Sequence, residues 1–121
     1  MSPEKAKIFF VEDNQFVLRS KTFLLQRAGH QVVLTASSRQ EVTEKNPSLK
    51  DAGVQVALVD GNLSEGDDSG DDGEAVAREI KKHNPDVIVI GHALRKPIAS
   101  ADINCPKVES PEKLLDTITK A

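Results

Sequence analysis

The amino-acid sequence predicts an α/β fold: a doubly wound, five-stranded parallel sheet in a single domain spanning residues 1–121. Three observations carry this. Strand-like and helix-like segments alternate along the chain, the pattern of a parallel sheet joined by helical crossovers. The runs Ile8-Phe9-Phe10-Val11 and Val56-Ala57-Leu58-Val59 are continuously apolar, as strands buried on both faces are. Both runs end in acids, Glu12-Asp13 and Asp60, and a weaker C-terminal run places Lys107 just before Ser110-Pro111-Glu112. Open parallel sheets hold ligands outside the carboxyl ends of their strands, so these acids and the lysine mark a site for a divalent cation and a phosphate-like anion.

The first strand covers about Lys7 to Val11. Asn14 is placed to cap a helix running to about Ala28, in which Phe16/Phe23 and Val17/Leu24 recur every seven residues and are expected on the buried face. Gly29 ends that helix where a left-handed residue is usual. Gln31 to Thr35 reads as the second strand, and Ser37 or Ser38 opens a weak helix through Val42. Pro47 and Gly53 bracket a connection to the third strand, Val54 to Val59. Ser64 to Gly73 is an acidic, glycine-rich loop, followed by a helix from Glu74 to Lys82 that buries Val76 and Ile80. Asp86 to Ile90 is the fourth strand. The stretch from Gly91 to Lys107 contains Pro97 and is too short for a full helix and two loops, which predicts a shortened, irregular fourth connection. A last strand near Ile103 leads to a helix capped by Ser110, with Pro111 at its first position and Leu114, Leu115 and Ile118 inward.

Composition narrows the function. A chain of 121 residues holds one core. A net charge of −3 excludes a sequence-independent nucleic-acid binder, which needs a basic surface. The lone Cys105 forms no internal disulfide, the N-terminus lacks the apolar core of a signal peptide, and no run approaches a membrane span. The expectation is a cytoplasmic protein with neither nucleic-acid nor membrane partners. All four Phe lie in the first 23 residues and there is no Trp or Tyr, so the rest of the core must be aliphatic.

With these residues in this order, the chain resembles, from end to end, the receiver domain of bacterial response regulators. Ile8-Phe9-Phe10-Val11-Glu12-Asp13-Asn14 looks like the family's first strand and acidic pair, and Leu58-Val59-Asp60-Gly61-Asn62-Leu63 like the strand with the phosphoacceptor aspartate. Lys107 with Ser110-Pro111-Glu112-Lys113-Leu114-Leu115 looks like its lysine and last helix. The resemblance implies a flavodoxin-like strand order 2-1-3-4-5. It implies Mg²⁺ held by the side chains of Asp13 and Asp60 and the backbone carbonyl of Asn62, with Glu12 acting through a metal-bound water. It implies that Asp60 takes a phosphoryl group from a histidine kinase, a phosphotransfer protein or a small acyl phosphate, and that Lys107 holds the product. Crowded carboxylates are suited to a cation: like charges about 4 Å apart repel by roughly 4 kcal/mol at a surface-like dielectric. With no DNA-binding segment after Ala121, output is expected to pass through a downstream protein.

The sequence also departs from the family. At the end of the fourth strand, where a Ser or Thr hydroxyl usually meets the phosphoryl group, stands Gly91, so Gly91 is expected beside the phosphate without a donor side chain. The aromatic that moves with the family's switch falls near Asn104, and Val108 replaces a common proline. A hydrogen bond to a charged group is worth roughly 1.5–3 kcal/mol, enough to decide whether phosphorylation drives a switch. Two readings therefore stand: an atypical receiver phosphorylated on Asp60, and a pseudo-receiver that binds partners without phosphorylation. A phosphate-releasing enzyme has less support, since Gly61-Asn62-Leu63 lacks the second aspartate of haloacid-dehalogenase phosphatases.

Single residues carry plainer alternatives. Glu12-Asp13 could serve the helix dipole, Asp60 a turn, and Lys107 the surface. His92 is either an exposed loop residue or a modulator of the site, while His30 at a turn is structural and Cys105 a small apolar residue of the last strand. In the acidic loop, Asp68, Asp72-Gly73 and Glu79 imitate a calcium-binding spacing, but Gly70 occupies a ligand position and no helix precedes it.

Overall fold

β1 (Lys7–Val11) lies between β2 (Gln31–Ala36) and β3 (Val56–Asp60), followed by β4 (Ile88–His92) and β5 (Ile103–Asn104), so that the sheet order is β2-β1-β3-β4-β5. Every pairing is parallel. The computed structural model describes residues 6–12, 14–60, 71–92, 100–104 and 118, with Asp60, Asp71 and Asp72 described in their backbone alone. The expected doubly wound sheet and its order are both present.

Burial alternates along the central strands, as the pleat requires. Phe9, Val11, Ala57, Val59 and Val89 pack on one face against Val42, Leu49, Val76, Ala77 and Ile80. Ile8, Phe10, Val56, Leu58 and Ile90 pack on the other against Leu25 and Ile118. Both layers come from helices, which is why the central strands read as unbroken apolar runs.

α1 (Gln15–Arg27) starts where the sequence predicts, with the Asn14 side chain accepting the Val17 N–H at 3.1 Å. Gly29, at φ 99°, adopts the left-handed conformation that ends it. Its orientation differs from expectation. Phe16 and Phe23 are 79% and 64% exposed, while Leu18 and Leu25 face the sheet. The sheet-facing stripe is Leu18, Lys21, Thr22 and Leu25, at the i, i+3, i+4, i+7 spacing of one helix face; Leu25 is buried and the other three are half-buried, as are Val17 and Leu24. α1 carries apolar residues on most of its circumference, so the seven-residue recurrence located the helix but not its phase.

α2 (Arg39–Lys45) is capped reciprocally: Ser38 Oγ accepts the Glu41 N–H at 3.2 Å, and Glu41 accepts the Ser37 N–H at 3.0 Å. The Ser37 hydroxyl and N–H hold the Glu41 carboxyl below its usual range, against the smaller opposing effect of burial. The helix runs three residues past Val42. The expected connection between Pro47 and Gly53 is itself helical, a 3₁₀ turn (Asn46–Ser48) continuing into α3 (Leu49–Ala52). Pro47 is tolerated at the start of this new turn, and burial of Leu49 repays the ordering. β3 consequently begins at Val56 rather than Val54.

α4 (Asp71–His83) starts three residues before Glu74. The turn at Pro85–Asp86 then occupies the residues expected to open the fourth strand, so β4 runs from Ile88 to His92 instead of from Asp86 to Ile90. β5 is held beside it by Asp102, whose carboxylate accepts the Val89 N–H at 2.8 Å and the Lys81 ammonium at 3.0 Å. Burial pushes this carboxyl up, but those two donors outweigh it and leave it below the usual range. The shortened fourth connection, Cys105 and the Ser110-capped helix with Leu114 and Leu115 lie outside the described residues. Of that last helix Ile118 is described, helical and buried against the sheet.

Candidate functional site

The site lies at the carboxyl edge of the three central strands. β1 and β3 pair through Val11 and Val59, and the next residues are Glu12 and Asp60. Glu12 is 2% exposed. Its N–H donates to the Ala36 carbonyl at 2.9 Å, carrying the β1–β2 ladder one residue further, and its Oε2 accepts the Asn14 N–H at 3.3 Å. The residue that caps α1 is thereby tied to the first acid of the pair. Asp60 is the last residue of β3 and lies opposite His92.

That register changes the reading of β4. Gly91 is buried but sits opposite Val59, one residue short of the edge, and the strand continues so that His92 is level with Asp60. His92 is 4% exposed, not a loop residue on the surface. Its Nε2 is in hydrogen-bond contact with Nζ of Lys21, which α1 projects from its sheet-facing stripe. Asp13, Asn62 and Lys107 lie outside the described residues, so the site's expected second acid, backbone ligand and lysine are not placed here.

Backbone topology thus brings Glu12 and Asp60 to one sheet edge, and adds His92 and Lys21. An edge with two acidic residues suits a hard cation, and burying a charged carboxylate is costly unless it is paired. Among the described residues no three His, Cys, Asp or Glu side chains form a metal-binding group. Of the calcium-like spacing, Asp68 lies outside the described residues, and Glu79 is engaged elsewhere, accepting the Thr43 hydroxyl at 2.9 Å.

No protein-family model matches the chain, and no curated protein matches its sequence. Solved structures do. A CheY-like response regulator receiver domain protein from Methanospirillum hungatei JF-1 superposes with a TM-score of 0.77 at 21% identity, covering 96% of this chain and 92% of that one. A response regulator receiver domain protein from Clostridium thermocellum gives 0.78 at 27% identity, covering 95% and 92%. A response regulator from Burkholderia pseudomallei, solved with a phosphorylated aspartic acid, a calcium ion and citrate, gives 0.74 at 19% identity, covering 94% and 66%. This is a response-regulator receiver fold.

Within the receiver fold, sequence reasoning located Glu12 and Asp60 from their positions after apolar runs. It missed Lys21. The available signal was a charged residue in the stripe Leu18-Lys21-Thr22-Leu25, visible only once that stripe is known to face the sheet. His92 was noticed but assigned to a loop, because the fourth strand was placed two residues too early. His30 is structural, as expected: its Nδ1 accepts the Ala6 N–H at 3.0 Å, and burial lowers its pKa. No described helix is long and apolar enough to cross a membrane.

Proposed function

We propose that this chain is an atypical response-regulator receiver that accepts a phosphoryl group on Asp60 and signals through protein contacts, working in the cytoplasm without nucleic acid or membrane as partner. The observation that carries the reading is the placement of Glu12 and Asp60 at adjacent ends of β1 and β3, two of the three central strands. Asp13, Asp60 and the Asn62 carbonyl are the proposed ligands of Mg²⁺, with Glu12 acting through a metal-bound water, an all-oxygen set that fits this hard cation. When bound, the ion neutralises charge on the transferring phosphoryl oxygens.

In the proposed transfer a carboxylate oxygen of Asp60 attacks phosphorus. The bond from phosphorus to the donor breaks, and the donor leaves as the imidazole of a kinase or phosphotransfer protein, or as a small carboxylate. The Lys107 ammonium holds the product's oxygens, and neither Gly91 nor its successor His92 brings a hydroxyl to them. The chain is a phosphoacceptor rather than a turnover enzyme in this reading. The lack of a hydroxyl at either Gly91 or His92 favours a second reading, a pseudo-receiver that binds partners without phosphorylation.

Thermal denaturation with Mg²⁺ and beryllofluoride, a phosphoryl mimic, separates the two. Occupancy at 100 times Kd stabilises by about 2.7 kcal/mol, a rise of several degrees in Tm. The expected result is such a rise in the wild type and none in Asp60→Asn. No response in either protein leaves the pseudo-receiver, and steady phosphate release from an acyl phosphate at many turnovers would indicate an enzyme.

A further inference from the structure

The Lys21–His92 contact is not accounted for by packing. Lys21 and Thr22 are the polar members of a stripe whose other members, Leu18 and Leu25, pack on the apolar sheet face. An ammonium on the inner side of a helix costs desolvation unless a charge nearby needs it. Its Nζ contacts a ring nitrogen of a histidine buried at the end of β4. That histidine is the register partner of Asp60, on a neighbouring strand roughly 4.8 Å away. His92 therefore fixes the Lys21 charge at the level of the proposed phosphoacceptor, on the edge that also carries Glu12.

We propose that Lys21, positioned by His92, is a second cationic ligand for the phosphoryl oxygens carried on Asp60, taking the place left by the missing hydroxyl. This rests on the reading of Asp60 as phosphoacceptor. An ammonium has three donor directions and His92 accepts one. In this proposal the phosphoryl oxygens take a further donor of the same ammonium. Lys21 touches the proposed ligand, while His92 acts through Lys21 as a positioning residue.

The test is beryllofluoride affinity at saturating Mg²⁺, with Mg²⁺ affinity measured separately, by calorimetry on wild type, Lys21→Met, Lys21→Gln, Lys21→Arg and His92→Gln. Loss of a charge-assisted hydrogen bond predicts beryllofluoride binding about tenfold weaker or more in Lys21→Met and Lys21→Gln. Mg²⁺ binding stays unchanged or tightens, because a positive charge has left a carboxylate site. Lys21→Arg recovers most of the loss, and His92→Gln shows an intermediate one. A purely structural lysine would not separate the two affinities. Wild-type beryllofluoride affinity in folded Lys21→Met or Lys21→Gln overturns the proposal while leaving the Asp60 reading intact. Absence of beryllofluoride binding in the wild type overturns both.

Discussion

The two longest described helices, α1 and α4, are each 13 residues and lie on opposite faces of the sheet, yet they are built by different rules. α4 confines its apolar side chains to one side: Val76, Ala77 and Ile80 are buried, and Arg78, Glu79, Lys81 and Lys82 occupy the rest of the surface. α1 distributes Phe16, Val17, Leu18, Phe23, Leu24 and Leu25 around most of its circumference, and leaves Lys21 and Thr22 half-buried on its sheet side while two phenylalanines face water. A helix with one apolar stripe has one way to pack. A helix with several acquires its orientation from its surroundings, here from the Asn14 cap and the Lys21–His92 contact. The difference makes the packed face of α4 readable from its own sequence and that of α1 dependent on the rest of the fold.

The largest effects that test this contrast come from the core. Ile80→Ala in α4 and Leu25→Ala in α1 should each cost about 2–5 kcal/mol in denaturant unfolding, since both side chains are fully buried. Equal losses from Phe23→Ala and Leu25→Ala would break the assigned phase of α1.

A pH-dependent effect comes next, at the C-terminal end of α1. His30 is held neutral in the folded protein by burial, with its Nδ1 accepting the Ala6 N–H. Its folded pKa lies below the unfolded value of about 6.5. The unfolded chain therefore takes up the proton first, so the stability contribution is present above about pH 6.5 and is lost as pH falls through the lowered folded value. Unfolding free energies measured from pH 7.5 down to 5 should decline in the wild type, and less steeply in His30→Asn.

The smallest effects should come from the exposed phenylalanines. Phe16→Ser is expected within about 0.5 kcal/mol of wild type. Phe23→Ser should cost slightly more, because the Arg27 guanidinium lies 5.7 Å from its ring centroid, an exposed cation–π contact worth about 0.5–1 kcal/mol. Denaturation midpoints that ranked these two above Leu25→Ala would reverse the comparison.

Much of this architecture was legible before folding. Continuous apolar runs mark β1 and β3 because a strand covered on both faces has no polar side to show. Glu12 and Asp60 follow them because a carboxyl edge is where a buried run must meet water or a ligand. The errors share a cause. Helical turns at Pro47 and Leu49, the late starts of β3 and β4, and the inward phase of α1 all depend on contacts between residues distant in sequence. Asn46 illustrates this: its side chain donates to the Glu79 carbonyl at 3.1 Å and accepts from Asn84 at 2.7 Å, tying the end of α2 to α4. No local pattern announces such a bond.

The alternation of elements, the parallel sheet and the pair of acids at its edge follow from residue order alone, since they depend on periodicity and on where apolar stretches stop. Register and helix rotation do not. Placing His92 opposite Asp60 and turning Lys21 inward required the assembled sheet, because a shift of one residue or a quarter turn leaves the local sequence equally satisfied and is decided only by what lies across the gap.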